Sequence, residues 1–471
     1  MKPAFLLVST VLSLCMPPLC TTIAAAADRT ETYRYKSTVT TDADGPLDLI
    51  AELNYNDAAT KAPIAVVMHG FSDSVAHFRN FRPNARSLRN KGFFAITVLM
   101  RGRAAEEGAA DGVRDSGGVE IHDIYDAVEA VKADYAHLVD PTNVYITGYS
   151  GGGGNTLSAL TKFPDYFRAG AAFFGMSDYG FDATNGWYNN GASAAHRAIL
   201  DKDIGNPADG PMVIDRYRAR ASNLASKNNP YSEIHLFVNG DEKICPPINA
   251  LSYRDIALAA ASHRGEFNNI FVHNGDSSGK TYQDFNGNGA QDGDETQNWP
   301  HGPPNADQQA AAEQWFLSRL LAGSIPRPVM NDKDDLFVAG YVKTRKFSLW
   351  LGDGQNAAAN LRYDLDNERM TFELRIAGDN KKMAGTLGVD TARMGRKPVG
   401  VFLNGKQVAA IAAAGQWYEY RGMRDGDVVE LRAVAKHGRL VSPAVLPLLP
   451  ILALLTWSII YEKRPKCMRK V

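Results

Sequence analysis

The chain has 471 residues, with 51 Lys and Arg against 52 Asp and Glu and a formal net charge of −1 at pH 7. A hydrophobic share of 45% and a charged share of 22% exclude a disordered chain and a collagen-like repeat. The balanced charge argues against nucleic acid as a partner, and the length predicts two or three domains. Of four cysteines, Cys245 alone lies away from the two ends, which excludes a disulfide-stapled fold.

The N-terminal segment 1–27 is typical of a secretory signal peptide. Lys2 provides a short positive region, and the apolar stretch 4–14 that follows is too short to cross a bilayer. The run of alanines at 25–27 then offers a cleavage site ahead of Asp28. The sequence therefore predicts an exported mature protein that begins at Asp28.

A second apolar stretch lies close to the C-terminus. Residues 441–461 carry no charged side chain and are long enough to span a membrane as a helix, although three prolines weaken their first half. The basic segment 462–471 follows, as expected for a cytoplasmic flank. We expect a single-pass anchor that holds the body of the protein on the extracytoplasmic side. The alternatives are a buried hydrophobic tail and a cleaved sorting signal.

Strand-like and helix-like segments alternate through residues 28–325. The helical candidates are 121–135, 154–161 and 305–321. The strand candidates are 47–55, 64–68, 93–99, 143–147, 170–174, 234–238 and 269–273, several of them unbroken apolar runs. This alternation predicts an α/β fold, with a doubly wound, mostly parallel sheet covered by helices on both faces. The segment 176–230 falls where such a fold inserts a substrate cap, and its aromatic residues are expected either to line a pocket or to pack as the core of a lid.

The composition and the pattern of predicted elements change after residue 325. Residues 326–335 are rich in proline and charge and predict a linker. Residues 336–436 contain short strand-like runs without an intervening helical run, and Asn404-Gly405 is a strong hairpin signal. We expect a small β-sandwich here, acting as a spacer or a binding module, since it contains no catalytic cluster.

The segment that carries chemistry is Gly148-Tyr149-Ser150-Gly151-Gly152. It follows a predicted strand and precedes a predicted helix, the context that a G-x-S-x-G nucleophile elbow requires. Gly148 and Gly152 are needed because side chains there would collide with the strand or the helix. The turn would expose the hydroxyl of Ser150 and aim the backbone N–H of Gly151 at a developing oxyanion.

A serine nucleophile also needs a second oxyanion donor. The strand 64–68 runs into His69-Gly70-Phe71-Ser72, and the backbone N–H of Phe71 is the expected donor, with Gly70 and Ser72 as alternatives. We expect His69 to shape this loop rather than to act as the base.

The remaining members of a triad are expected after later strands. Asp241 follows a predicted strand directly and is the expected acid, with Glu242 as the near competitor. Asp178 and Asp182 are weaker candidates. His301 lies on a loop before the final helix and is the expected base, whereas His273 falls inside a strand and is expected to be a packed core residue.

Together these motifs resemble the catalytic domain of prolyl oligopeptidase-like enzymes within the α/β-hydrolase superfamily. The resemblance runs from about residue 60 to 322 and includes the stretches DSGGVEIHDIYDAVEAV, NVYITGYSGGG, FPDYFRAGAAFFGMSD and NGDEKICPP. It implies a serine hydrolase that acts on peptides, amides or esters. The sequence departs from the peptidases because no β-propeller precedes the hydrolase domain, as in smaller relatives that include esterases.

An insertion before His301 contains a pattern that fits a calcium-binding loop. Oxygen-bearing residues recur at the positions of an EF-hand frame, a glycine occupies the tight turn, and an acidic residue closes the frame at position twelve. The expected ligands are Asp284, Asn286, Asn288, Ala290 through its carbonyl, Asp292 and Glu295. A structural Ca²⁺ would order the loop that carries His301. The alternative is a polar surface loop, and no cofactor is expected for catalysis itself.

The leading functional hypothesis is a membrane-anchored, exported serine hydrolase that cleaves carboxylic esters through an acyl-enzyme. A serine peptidase of the same fold is the close alternative, because acid, base and oxyanion hole serve both reactions. A non-enzymatic surface module is a further alternative, which the intact order of Ser150, Asp241 and His301 disfavours.

Overall fold

The computed structural model describes residues 27–71, 80–105, 108–229, 232–240, 242–264, 269–275, 301–302, 306–395, 397–412 and 415–434. Residues 1–26 of the predicted signal peptide, Asp241, the predicted calcium loop 284–295 and the segment 441–471 with the predicted anchor lie outside the described residues. Of the helices within these ranges, none combines the length and apolar character that a membrane crossing requires.

The first ten strands among the described residues form one large sheet and one small hairpin. They are β1 (Asp28–Asp42), β2 (Gly45–Asn56), β3 (Ala62–Met68), β4 (Phe94–Leu99), β5 (Ala104–Ala105), β6 (Gly108–Ala109), β7 (Val139–Tyr149), β8 (Ala169–Phe173), β9 (Glu233–Asn239) and β10 (Ile270–Gly275). The eight-stranded sheet has the order β1-β2-β4-β3-β7-β8-β9-β10, and β5 pairs with β6. Pairing is parallel from β4 to β10 and antiparallel at β1 and β2. The predicted α/β fold with a mostly parallel sheet is thus confirmed.

Within the described residues, seven helices accompany this sheet. They are α1 (Arg82–Asn90), α2 (Glu120–Asp134), α3 (Gly151–Lys162), α4 (Ala194–Asp203), α5 (Pro211–Arg218), α6 (Pro247–Arg264) and α7 (Ala306–Leu321). Helices α4 and α5 lie between β8 and β9, in the segment where the sequence predicts a cap.

The alternation of side chains along β3 shows how helices cover both faces of the sheet. Ile64, Val66 and Met68 belong to a buried cluster with residues of α2 and α3. Ala65 and Val67, which point to the opposite face, belong to a second cluster with residues of α1 and α7. Because both faces are buried, the strand is an unbroken apolar run, as strands in parallel sheets are.

The C-terminal region consists of two antiparallel sheets that share one buried core. Its strands are β11 (Lys333–Ala339), β12 (Tyr341–Lys343), β13 (Phe347–Leu351), β14 (Ala358–Leu365), β15 (Arg369–Ala377), β16 (Gly385–Asp390), β17 (Val399–Leu403), β18 (Lys406–Ile411), β19 (Trp417–Met423) and β20 (Val428–Ala433). The sheets have the orders β11-β14-β15-β20-β17-β18 and β12-β13-β16-β19.

Two details of this region bear on the sequence analysis. At the β17–β18 hairpin, Asn404 has φ 48° and Gly405 has φ 81°, as the two central residues of a type I′ turn require. The boundary of the predicted linker is wrong, because β11 already begins at Lys333, inside 326–335. The first three residues of β11 are charged and do not show a strand pattern in the sequence, whereas its last four residues are buried.

The sandwich packs closely on helix α3, the helix that follows the nucleophile elbow. Tyr341 is fully buried, and its ring lies 6.0 Å from that of Phe163. The ammonium group of Lys162 donates to the carbonyl oxygen of Ala339. The domain expected to be a spacer or binding module therefore shares core residues with the α/β domain.

Side chains near the cap add polar contacts to this interface. The buried amide of Asn228 pairs with both the N–H and the carbonyl of Phe337, at 2.9 and 2.8 Å. Asp215 on α5 is fully buried, and one of its carboxylate oxygens accepts the backbone N–H groups of Asp379 and Asn380, each at 2.8 Å. The cap and the sandwich therefore hold each other in place.

Replacing the buried interface carboxylate should destabilise the protein. We expect Asp215→Ala to lower the free energy of unfolding by about 2–4 kcal/mol, because two backbone N–H groups and Arg218 would lose the buried carboxylate that accepts from them. Denaturant unfolding followed by tryptophan fluorescence measures this change. The control is Asp379→Ala in the opposite loop, where the exposed side chain is lost but the N–H remains; equal effects of the two variants would contradict this account.

Candidate active site

The candidate nucleophile sits at the junction of β7 and α3. Strand β7 ends at Tyr149, helix α3 begins at Gly151, and Ser150 between them has φ 55° and ψ −121°. A positive φ is unfavourable for a residue with a Cβ atom, and such strain is tolerated where the surroundings fix the backbone. Here the N–H of Ser150 donates to the carbonyl oxygen of Phe173 at 2.8 Å.

The glycines around Ser150 are required by close backbone packing. A Cβ atom at Gly148 would lie 2.4 Å from the carbonyl oxygen of Gly152, and one at Gly152 would lie 2.4 Å from that of Met68. A Cβ atom at Gly151 would lie 2.4 Å from the backbone nitrogen of Phe71. No larger residue fits at these positions without displacing the main chain.

The close approach of Gly151 to Phe71 also concerns the oxyanion hole. Because Gly151 and Phe71 are adjacent, the structure brings together the two segments whose backbone N–H groups the sequence analysis names as donors. Ser72, one alternative donor, lies outside the described residues. His69 is buried, with Nδ1 2.8 Å from the Gly70 carbonyl oxygen and Nε2 accepting the Met100 N–H at 3.3 Å. Both ring nitrogens are engaged by backbone groups, one in the loop and one at the end of β4, in keeping with a shaping role.

The acid beside the candidate base is Glu242. Nδ1 of His301 forms a hydrogen bond with Oε1 of Glu242, and the same oxygen accepts the N–H of Cys245 at 3.1 Å. Glu242 is 2% exposed, and burial raises the pKa of its carboxyl group, an effect that the bond to His301 opposes. The loop of His301 is held in turn by Asn239, whose amide donates to the Gly302 carbonyl at 3.1 Å.

The sequence predicts Asp241 for this role, with Glu242 as the near competitor, and Asp241 lies outside the described residues. Two adjacent carboxylates after a strand are indistinguishable by spacing alone. The bond to His301 selects Glu242 among the described candidates, and we assign the acid to it.

The other carboxylate and histidine candidates have structural roles. Asp178 is buried and accepts the N–H groups of Gly180, Phe181 and Asp182. Asp182 accepts the N–H groups of two residues in an exposed turn. His273 lies in β10 with Nε2 2.8 Å from Nδ1 of His235, within the packed strands.

The hydroxyl of Ser150 and this acid–base pair both lie near Cys245. Its oxygen is 4.0 Å from the sulfur of Cys245. That sulfur, a carboxylate oxygen of Glu242 and a ring nitrogen of His301 all lie within 4.8 Å of one another. Nucleophile, base and acid therefore converge from three loops at the carboxyl ends of β7 and β9 and before α7, where open α/β sheets place their sites.

An aromatic wall joins the cap to the oxyanion segment. The ring of Trp187 lies 5.1 Å from those of Phe71 and His196, and its Nε1 donates to the carbonyl oxygen of Ile244 at 2.6 Å. Trp187 is 1% exposed, so it packs as the core of the lid. The pKa of His196 is lowered by burial and by the nearby His301.

The comparisons with known proteins begin with one family. The model of the prolyl oligopeptidase family matches residues 79–197, which extend from α1 into α4 and include the whole elbow. None of the curated proteins compared with the chain matches it.

Several solved structures are similar to this chain at low identity. The acylaminoacyl peptidase of Pyrococcus horikoshii has 18% identity and a TM-score of 0.44, with 62% of this chain and 42% of that chain covered. A puromycin-hydrolyzing peptidase of Mycobacterium tuberculosis has 17% identity and a TM-score of 0.44, with 63% and 39% covered. A Pyrococcus furiosus esterase has 13% identity and a TM-score of 0.38, with 63% and 93% covered. The chain thus spans less than half the length of these two peptidases.

The family match contains Ser150 in its strained turn between strand and helix. The similarity to the prolyl oligopeptidase family thus lies in the part of the chain that carries the candidate nucleophile.

Proposed function

We propose that this protein is an exported, membrane-anchored serine hydrolase that cleaves carboxylic esters through an acyl-enzyme, with Ser150, His301 and Glu242 as its triad. The observation that carries the proposal is the hydrogen bond between the buried Glu242 and His301, next to Cys245, whose sulfur lies 4.0 Å from the hydroxyl oxygen of the strained Ser150. A serine in a loop without a base would have no means of losing its proton at neutral pH.

The proposed reaction has two halves. His301 takes the proton of the Ser150 hydroxyl as its oxygen attacks the ester carbonyl, and the backbone N–H groups of Gly151 and Phe71 stabilise the oxyanion. The imidazolium then gives that proton to the departing alkoxide, which leaves as an alcohol. In the second half, His301 takes a proton from water as the water attacks the acyl-enzyme, and it then returns this proton to the oxygen of Ser150. The carboxylic acid is released and the free enzyme is restored. Glu242 holds the imidazole tautomer and stabilises its charge throughout.

A serine peptidase is the second candidate function. It is favoured by the match to the prolyl oligopeptidase family. The same residues would serve it, with the difference that an amine leaves only when His301 protonates it.

Export and membrane anchoring rest on the sequence, through the signal-like segment 1–27 and the apolar segment 441–461. The substrate of the proposed enzyme would be met on the extracytoplasmic side of the membrane. Carbonate extraction and protease protection of the full chain in cells would test this placement.

Replacing the nucleophile should remove turnover without unfolding the protein. We expect Ser150→Ala to lose labelling by a fluorophosphonate probe and to reduce kcat/KM by at least roughly 10⁴-fold, because no other group can form the acyl-enzyme. The assay compares p-nitrophenyl esters with peptide p-nitroanilides, so preferred ester turnover supports the esterase and preferred anilide turnover the peptidase. The matched control is Ser158→Ala, a buried serine on the same helix, which should retain activity. Labelling of Ser150→Ala at the wild-type level would overturn the mechanism.

The two adjacent carboxylates can be separated by paired amide variants. We expect Glu242→Gln to lower kcat roughly 10³- to 10⁴-fold, because an amide cannot stabilise the imidazolium and favours the wrong tautomer. Asp241→Asn should change kcat little. Steady-state kinetics on the preferred ester decides between them, and the opposite ranking would return the acid to Asp241.

The calcium loop stays a prediction of the sequence and can be tested by chelation. We expect EGTA to lower the melting temperature of the wild type, since a bound ion stabilises the folded state in proportion to its occupancy. Glu295→Gln should remove this response, because it deletes the closing ligand of the frame. An identical melting temperature with and without chelator would dismiss the site.

A further inference from the structure

A cysteine lies beside the proposed nucleophile, and the mechanism gives its side chain no role. The sulfur of Cys245 is 4.0 Å from the hydroxyl oxygen of Ser150, and the residue is 3% exposed. Burial raises the pKa of the thiol well above its ordinary value, so the group is protonated and a poor nucleophile. The position is nevertheless fixed, because the Cys245 N–H is bonded to Glu242.

Cys245 completes a set of three metal-ligating groups. Its sulfur, a carboxylate oxygen of Glu242 and a ring nitrogen of His301 lie within 4.8 Å of one another, and within the described part of the chain no other trio of such residues lies this close. In a tetrahedral zinc site with bonds of about 2.0–2.3 Å, the ligand atoms are roughly 3.3–3.8 Å apart. Side-chain shifts of about an ångström would therefore suffice to enclose an ion.

The environment of Glu242 favours a cation. Its second oxygen, Oε2, is buried and has no hydrogen-bond partner among the described residues. A buried carboxylate oxygen without a hydrogen-bond partner destabilises the folded protein, and coordination to a cation would offset this destabilisation. The pair of sulfur and imidazole nitrogen selects a zinc-type ion, since calcium and magnesium prefer sites made of oxygen alone.

We propose that Glu242, Cys245 and His301 form a binding site for a thiophilic divalent cation of the zinc type, and that its occupancy switches the hydrolase off. On binding, the cation takes a lone pair from each of the three side chains, and the thiol proton leaves to water. Water or the hydroxyl of Ser150 is available for the fourth position. The inhibitory half of the proposal rests on the proposed function, because it requires His301 and Glu242 to be the base and acid.

Occupancy would block the reaction at two points. A ring nitrogen of His301 that is bound to the ion would hold the imidazole away from its place as acceptor of the Ser150 proton. The carboxylate of Glu242 would be drawn to the ion and would no longer orient the imidazole. Removal of the ion by a chelator would restore activity, so the site would act as a reversible switch.

The experiment uses the full chain, with Zn²⁺ for inhibition and Co²⁺ for spectroscopy. In the wild type, Zn²⁺ should inhibit ester hydrolysis reversibly, and Co²⁺ should give a thiolate-to-cobalt charge-transfer band. Cys245→Val keeps the backbone N–H to Glu242 and a similar apolar volume but lacks the ligand. We expect this variant to hydrolyse the ester and to lose the cobalt band. Its half-inhibition should require a Zn²⁺ concentration at least about 10-fold higher than that of the wild type.

Ser150→Ala separates this proposal from the proposed function. It should retain the cobalt band although it is inactive, because the serine is not among the three ligands. A wild type that hydrolyses no substrate but shows a band that Cys245→Val removes would overturn the proposed function and support the cation site. Equal Zn²⁺ sensitivity of the wild type and Cys245→Val, or a cobalt band that survives this substitution, would overturn the site.

Discussion

The backbone conformation of Ser150 is the constraint on which the rest of the catalytic domain depends. A φ of 55° at a non-glycine residue is unfavourable, and it persists because the elbow is packed from every side by main chain. The end of β3 approaches Gly152, the oxyanion segment approaches Gly151, and the end of β8 accepts the Ser150 N–H. Three separate segments thus converge on one turn, and each of them also supplies or supports a part of the site.

The acid–base pair is organised by burial rather than by local sequence. Glu242 and His301 are 59 residues apart, yet one carboxylate oxygen receives both the imidazole and the Cys245 N–H. The desolvated carboxylate gains from any positive partner, which strengthens its interaction with the imidazolium that forms during the reaction. The same desolvation leaves the second carboxylate oxygen without a partner among the described residues, and this is the property that would attract a cation. The stabilisation of the His301 imidazolium and the attraction for a metal cation thus both arise from the buried carboxylate of Glu242.

The α/β fold, the elbow and the position of the base before the last helix could be predicted from the sequence, since each leaves a local pattern. Apolar runs mark β3 and β4, and the glycines around Ser150 are dictated by contacts under 3 Å. The acid could not be resolved, because Asp241 and Glu242 are adjacent and their spacing to the strand is equally suitable. Strand β12 has three residues and β11 starts with three charged ones, so neither shows a pattern that periodicity could detect. The close packing of Tyr341 on Phe163 depends on residues 178 positions apart and leaves no local sign.

The interface between the sandwich and the catalytic domain limits how this protein could have evolved. Lys162 is buried at the end of the helix that begins directly after the nucleophile, and it reaches a carbonyl of β11. Loss of the sandwich would expose the apolar surface around Phe163 and remove the backbone partners of β11 and residues 379–380 from the amide of Asn228 and the carboxylate of Asp215. Recombination that exchanged the sandwich for another module would meet the same unmatched surface. The two domains are therefore expected to have diverged together as one inherited unit, although they differ in architecture and only one of them bears the catalytic residues.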